Sequence, residues 1–110
     1  MRRALAIFAV LLVGGGAAAI PSVGAIKTKT VLIKDDFFSP KKLTVSKGGK
    51  VQWLWKGKEA HNIAVASGPS SFRAGKRKKG HFEHTFTKRG KYSIFCTIHA
   101  PDMHMTITVK

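Results

Sequence analysis

From Thr30 to its end, the chain is built from short runs that alternate apolar and polar residues or are rich in β-branched ones, several of them broken by glycine. Successive side chains of a strand point to opposite faces, so such alternation marks a strand with one buried side. Seven segments read this way: 30–33, 42–46, 50–55, 62–65, 81–86, 91–96 and 106–109. Leu43 and Val45 share a face, as do Val51, Trp53 and Trp55. The same holds for Phe82, His84 and Phe86, for Tyr92, Ile94 and Cys96, and for Ile107 and Val109. Gly48-Gly49 and Lys88-Arg89-Gly90 supply turns, and no helical period or internal repeat competes. Many short strands with glycine turns predict an all-β sandwich or barrel. Residues 67–80, rich in Ser, Gly and Lys, read as a long loop with room for one short helical turn.

The N-terminus is different in kind. Arg2 and Arg3 precede an apolar run, Ala4 to Ile20, that Pro21 ends, and Val23-Gly24-Ala25 follows with small residues. A positive start, an apolar middle and a small-residue cleavage motif describe a secretory signal peptide over residues 1–25, cut after Ala25 or at Ala17-Ala18-Ala19. The competing reading is an uncleaved anchor through residues 4–20, which barely reaches the ~17 residues needed to span a bilayer. Both place a single domain, residues 26–110, outside the cytoplasm, in a periplasm or secreted.

A small exported domain usually adds disulfides to a modest core. This one cannot, because Cys96 is its only cysteine. A free thiol in an oxidising compartment is exposed to chemistry unless something occupies it. Taken alone, Cys96 would be a buried apolar residue. Its neighbours change that: His99 follows three residues on, Met103 lies just beyond, and His61 opens an upstream strand. Two imidazoles, one thiolate and a weak thioether form the ligand set of a trigonal copper electron-transfer site. Zinc is less apt, since a structural zinc site takes four strong ligands and Met is a poor one. Strand parity turns Cys96 inward, sets His81 and His84 on opposite faces and turns His104 away from Met103.

In this order, Phe38-Ser39-Pro40, Leu43-Thr44-Val45, Gly49-Lys50-Val51-Gln52-Trp53, His61-Asn62-Ile63, Gly90-Lys91-Tyr92, Cys96-Thr97-Ile98-His99 and the tail 103–109 resemble the cupredoxins, the small blue copper proteins. The resemblance implies a Greek-key β-sandwich or barrel of about seven to eight strands. It implies one copper ion, cycling between Cu(I) and Cu(II), with His61, Cys96 and His99 as equatorial ligands and Met103 as the axial one. It also implies that Asn62 ties the His61 strand to the Cys96 loop, with Thr97 in the same supporting layer. Two features depart from the pattern. Asp102 lengthens the loop from His99 to Met103, and Met105 stands where the family often has glycine. Met105 is therefore an alternative axial ligand, although alignment back from Val109 favours Met103.

Lys and Arg number 20 against 5 Asp and Glu, a formal net charge of +15. Such an excess attracts an acidic partner or a polyanion. No nucleic-acid motif appears. The basic residues Arg73, Lys76, Arg77, Lys78 and Lys79 are either a solvated loop or a docking site for an acidic redox partner. Ala100 and Pro101, with Met103, would frame the exposed edge of His99 as a small apolar docking patch. The expected function is a monomeric one-electron carrier with no substrate of its own. The alternatives are a copper-binding or delivery protein without a redox role, and a metal-free basic sandwich that binds anionic partners. An enzyme is not expected, because three strong ligands and a thioether leave no open position.

Overall fold

The computed structural model describes residues 27–110, so the leader expected over residues 1–25 lies outside the described residues. Among the described residues, nine strands run in chain order: β1 (Thr28–Lys34), β2 (Phe37–Ser39), β3 (Lys42–Val45), β4 (Lys50–Trp55), β5 (His61–Ser67), β6 (Arg73–Arg77), β7 (His81–Thr85), β8 (Gly90–Phe95) and β9 (His104–Val109). They form a β-sandwich of a five-stranded sheet, ordered β3-β9-β8-β5-β6, and a four-stranded sheet, ordered β2-β1-β4-β7. Alternation decides which side chains enter the core. Val51, Trp53 and Trp55 of β4, Tyr92 and Ile94 of β8 and Ile107 and Val109 of β9 are all buried, and Cys96 continues the inward face of β8.

Two strands have no counterpart in the alternation pattern. β2 is only three residues long and follows β1 across the turn Asp35-Asp36, pairing Ile33 with Phe38. Asp36 takes a φ of 73° there, a left-handed conformation that Asp tolerates better than most residues. β6 overturns the long-loop reading of residues 67–80. Arg73–Arg77 pairs antiparallel with β5 at the edge of the larger sheet. Only Ala74 of its five residues is buried, so no alternation was visible. Its backbone holds it in place, and its exposed Arg and Lys side chains guard the edge against pairing with another chain.

Strand directions bring distant segments to one pole. β8 is antiparallel to both β5 and β9, so its C-terminal end meets their N-terminal ends, with Phe95 opposite Ala64 and His104. The parallel pair β1–β4 sets Ile33 beside Trp55, which delivers the Asp35-Asp36 turn and the end of β4 to the same pole. The pairing of β5 with β6 slips between His61 and Ile63. Such a bulge re-aims the side chains beside it.

The opposite part of the core is aromatic. Trp53 lies 5.7 Å from Phe72, 5.9 Å from Phe82 and 6.5 Å from Phe86, centroid to centroid. His84 stacks on Phe72 at 3.9 Å and meets the edge of Phe86 at 4.8 Å. Burial holds its imidazole below the ordinary histidine value of 6.5. The neutral form is therefore favoured in the fold, and His84 costs stability once pH falls below 6.5, where only the unfolded chain takes the proton. The loss levels off below the folded-state value. The wild-type melting temperature should fall between about pH 7 and pH 5 more than that of His84→Phe. Parallel melting curves for the two proteins would show the His84 reading to be wrong.

Candidate metal centre

Cys96 caps β8, is fully buried and is free. His61 opens β5 and is also fully buried. His99 sits on the loop after Cys96 with 26% of its side chain exposed. One ligand atom from each of these three residues lies within 4.8 Å of the others, and the His61 and His99 rings are 4.9 Å apart between centroids. Residues from two distant stretches of the chain thus converge at one pole.

The surrounding hydrogen bonds hold this arrangement. The Asn62 amide N–H points at Cys96 Sγ from 3.5 Å. Its side chain donates from Nδ2 to Thr97 Oγ1 at 2.8 Å and accepts the Thr97 N–H on Oδ1 at 2.8 Å. Each such bond adds on the order of 1 kcal/mol net, and together they fasten the start of β5 to the Cys96 loop. Trp55, in the sequence simply a core aromatic, donates its indole N–H to the His61 carbonyl at 2.9 Å. The guanidinium of Arg77 lies 4.9 Å over the Trp55 ring.

The loop after Cys96 closes on itself. His99 N–H donates to the Cys96 carbonyl at 3.3 Å, and Cys96 N–H donates to the Met103 carbonyl at 3.0 Å. Met103 and Met105 are both fully buried. Met103 is bonded to Cys96 itself, whereas Met105 pairs with Ile94. Met105 is therefore two residues, about 7 Å, further into the strand. The burial of Met103 corrects one expectation: it cannot frame a surface patch around His99. Ala100 and Pro101 are exposed there. The exposed large apolar residues Phe37 (43%) and Ile98 (45%) were not singled out in the sequence. Each is the chain neighbour of one member of the Asp36–His99 pair, whose Oδ1 and Nδ1 atoms lie 3.6 Å apart. His104 is exposed while Met105 is buried, as alternation requires of strand neighbours.

Asp35 carried no signal in the sequence. Its Oδ1 lies 3.2 Å from His61 Nε2. Backbone N–H groups of Lys58 and Glu59 and the His61 ring hold its carboxyl well below the ordinary 3.8, at about 2. It is thus an anion throughout the physiological range. The other ring nitrogen, His61 Nδ1, is buried and has no hydrogen-bond partner; His99 Nε2 is buried too, with Glu59 Oε1 3.7 Å away as its nearest acid. Buried polar atoms are rarely left unpaired. An unpartnered buried imidazole nitrogen, in a cluster with a buried sulfur and a second histidine, is what a soft metal ion would satisfy, so the residues present fit copper.

Residues 28–110 match the family of copper binding proteins described as plastocyanin/azurin. The chain is a cupredoxin. Among solved structures, this cupredoxin is similar to a copper-containing nitrite reductase from Thermus scotoductus SA-01, with 28% identity and a TM-score of 0.66. That match covers 76% of this chain but only 22% of the reductase. It is also similar to a reduced Cu(I) form of an amicyanin variant, with 27% identity and a TM-score of 0.64 over 78% of this chain and 85% of that one. A purple cupredoxin from Nitrosopumilus maritimus shares the fold at 23% identity, with a TM-score of 0.66, over 74% of this chain and 99% of that one. Comparison with curated proteins returned no match.

Proposed function

We propose that this cupredoxin is a blue-copper electron carrier working outside the cytoplasm. The observation that carries the reading is the convergence of His61, Cys96 and His99 within 4.8 Å, with a buried sulfur and a buried, unpartnered nitrogen on His61. Copper would be held by His61, Cys96 and His99, with Met103 as the weak fourth group, and it would supply a one-electron couple. The protein's part is to keep the ligands still. The Asn62–Thr97 pair and the closed 96–103 loop resist rearrangement when the charge changes, which keeps electron transfer fast. Apolar walls favour the lower charge and raise the potential. Three strong ligands and a thioether would fill the coordination of the copper, and on this reading the domain transfers electrons rather than acting on a bound molecule.

His99 is the partly exposed member of the set and the natural exit for the electron. Ile98, Ala100 and Pro101 surround it along the chain and give a partner an apolar landing. Arg77 pairs in register with His61, so the exposed basic edge of β6, with Arg73 and Lys76, adjoins this pole. Lys78 and Lys79 extend it, and the redox partner has an acidic surface. The test is addition of Cu(II) to the protein, followed by visible and paramagnetic resonance spectra. Intense thiolate-to-copper absorption and a narrow copper hyperfine splitting are expected. A pale complex with ordinary splitting refutes the reading.

One observation favours copper delivery instead. Atoms of Asp36, Glu59 and His99 also lie within 4.8 Å of one another at the exposed rim, where they offer a leaving ion a way out. Rapid loss of Cu(I) to a chelator, together with slow electron self-exchange, would select delivery over transport.

A further inference from the structure

The turn between β1 and β2 contributes nothing to the core, yet it meets the metal centre from behind. We propose that Asp35 is a positioning residue that holds the His61 imidazole with its proton on Nε2, so that Nδ1 faces Cys96 and His99 as a free donor. The affinity arm of this inference rests on the copper reading above; its tautomer arm does not.

The carboxylate is itself held in place. Lys58 N–H donates to Oδ1 at 2.9 Å and to Oδ2 at 3.0 Å, and Glu59 N–H donates to Oδ1 at 2.9 Å. An ionised carboxylate only accepts hydrogen bonds. The 3.2 Å contact with His61 Nε2 must therefore take its proton from the ring. A neutral imidazole carries one N–H, so Nδ1 is left with a lone pair. That is the nitrogen found buried and without a partner. Fixing the tautomer through the far nitrogen also raises the basicity of the near one.

Gly57 makes the contact possible. A Cβ there would overlap Asp35 Oδ1 and would lie 2.7 Å from its Cγ and 2.8 Å from its backbone nitrogen. No side chain fits between the loop and the turn. The N–H groups of Lys56 and Gly57 donate to the Ile33 carbonyl at 2.8 and 3.2 Å, which ties the loop to the end of β1. The 56–59 loop and the Asp35 turn are thus one clamp on the back of His61. The negative charge of Asp35 favours the more highly charged metal, Cu(II) over Cu(I).

Two measurements test this. In the metal-free protein, long-range 15N–1H correlation reads the His61 tautomer directly, and the proton should be on Nε2. Asp35→Ala and Gly57→Ala should each lower Cu(II) affinity by about 10–100-fold. With Cu(I) binding unchanged, each tenfold loss raises the reduction potential by about 59 mV. Asp35→Asn, which keeps an acceptor oxygen, should recover part of the affinity. A wild-type His61 protonated on Nδ1 overturns the proposal. So do two alanine variants that bind Cu(II) within about twofold of wild type. A wild-type protein that binds no Cu(II) instead refutes the copper reading, and the tautomer measurement still decides this one.

Discussion

Cys96→Ser should remove the intense visible absorption of the copper-loaded protein altogether. That absorption arises from charge transfer out of a thiolate, and Cys96 holds the only sulfhydryl in the chain. A serine hydroxyl stays protonated at neutral pH and is a hard oxygen, so it replaces neither the donor orbital nor the affinity. The Cu(II) affinity should fall by more than the ~100-fold that follows loss of an outer hydrogen-bonding partner. The fold should survive, because serine is nearly the same size and the Asn62 N–H that points at Sγ from 3.5 Å can point at Oγ instead. Titration with Cu(II), followed by absorbance and by far-UV circular dichroism, separates the two effects. Colour retained in Cys96→Ser would mean that copper binds elsewhere.

Trp53→Ala should bring the metal-free domain close to unfolding. Trp53 is fully buried and sits among Phe72, Phe82 and Phe86. Truncating a buried Trp to Ala costs about 3–5 kcal/mol. A small domain holds only about 5–15 kcal/mol in total. Copper bound to the folded chain alone, at about 1,000 times its dissociation constant, would return about 4 kcal/mol. Urea unfolding should show a large loss for the metal-free variant and much of it recovered on copper loading. Trp53→Phe should be far milder. The indole N–H of Trp53 has no hydrogen-bond partner, and an unsatisfied buried donor costs about 1–3 kcal/mol. Phe loses volume but relieves that cost. Equal losses for Ala and Phe would place the stability of this region in something other than ring packing.

The aromatic core and the metal pole lie at different places in the sandwich and were legible to different degrees. Alternation is a local signal, and it set the inward faces of β4, β8 and β9 directly. Cys96 followed by inheritance, as the next inward position after Tyr92 and Ile94. The edge strand β6 was invisible for the opposite reason. Its backbone pairs, but only Ala74 turns inward, so its side chains obey solvent rather than a core. The docking rim was misdrawn at Met103, although alternation carried back from Val109 and Ile107 through Met105 already turned it inward. Its carbonyl accepts the Cys96 N–H, which draws this end of the loop against β8.

What the sequence determined by itself was the all-β character, the inward thiol and the set of residues able to bind a soft metal, because each depends on residue type and short spacing. Only the tertiary structure decided that these residues meet. It also decided that Asp35, 26 positions from His61 along the chain, stands behind the imidazole. Sheet order, strand direction and the closeness allowed by Gly57 are properties of the packed chain, and no local pattern encodes them.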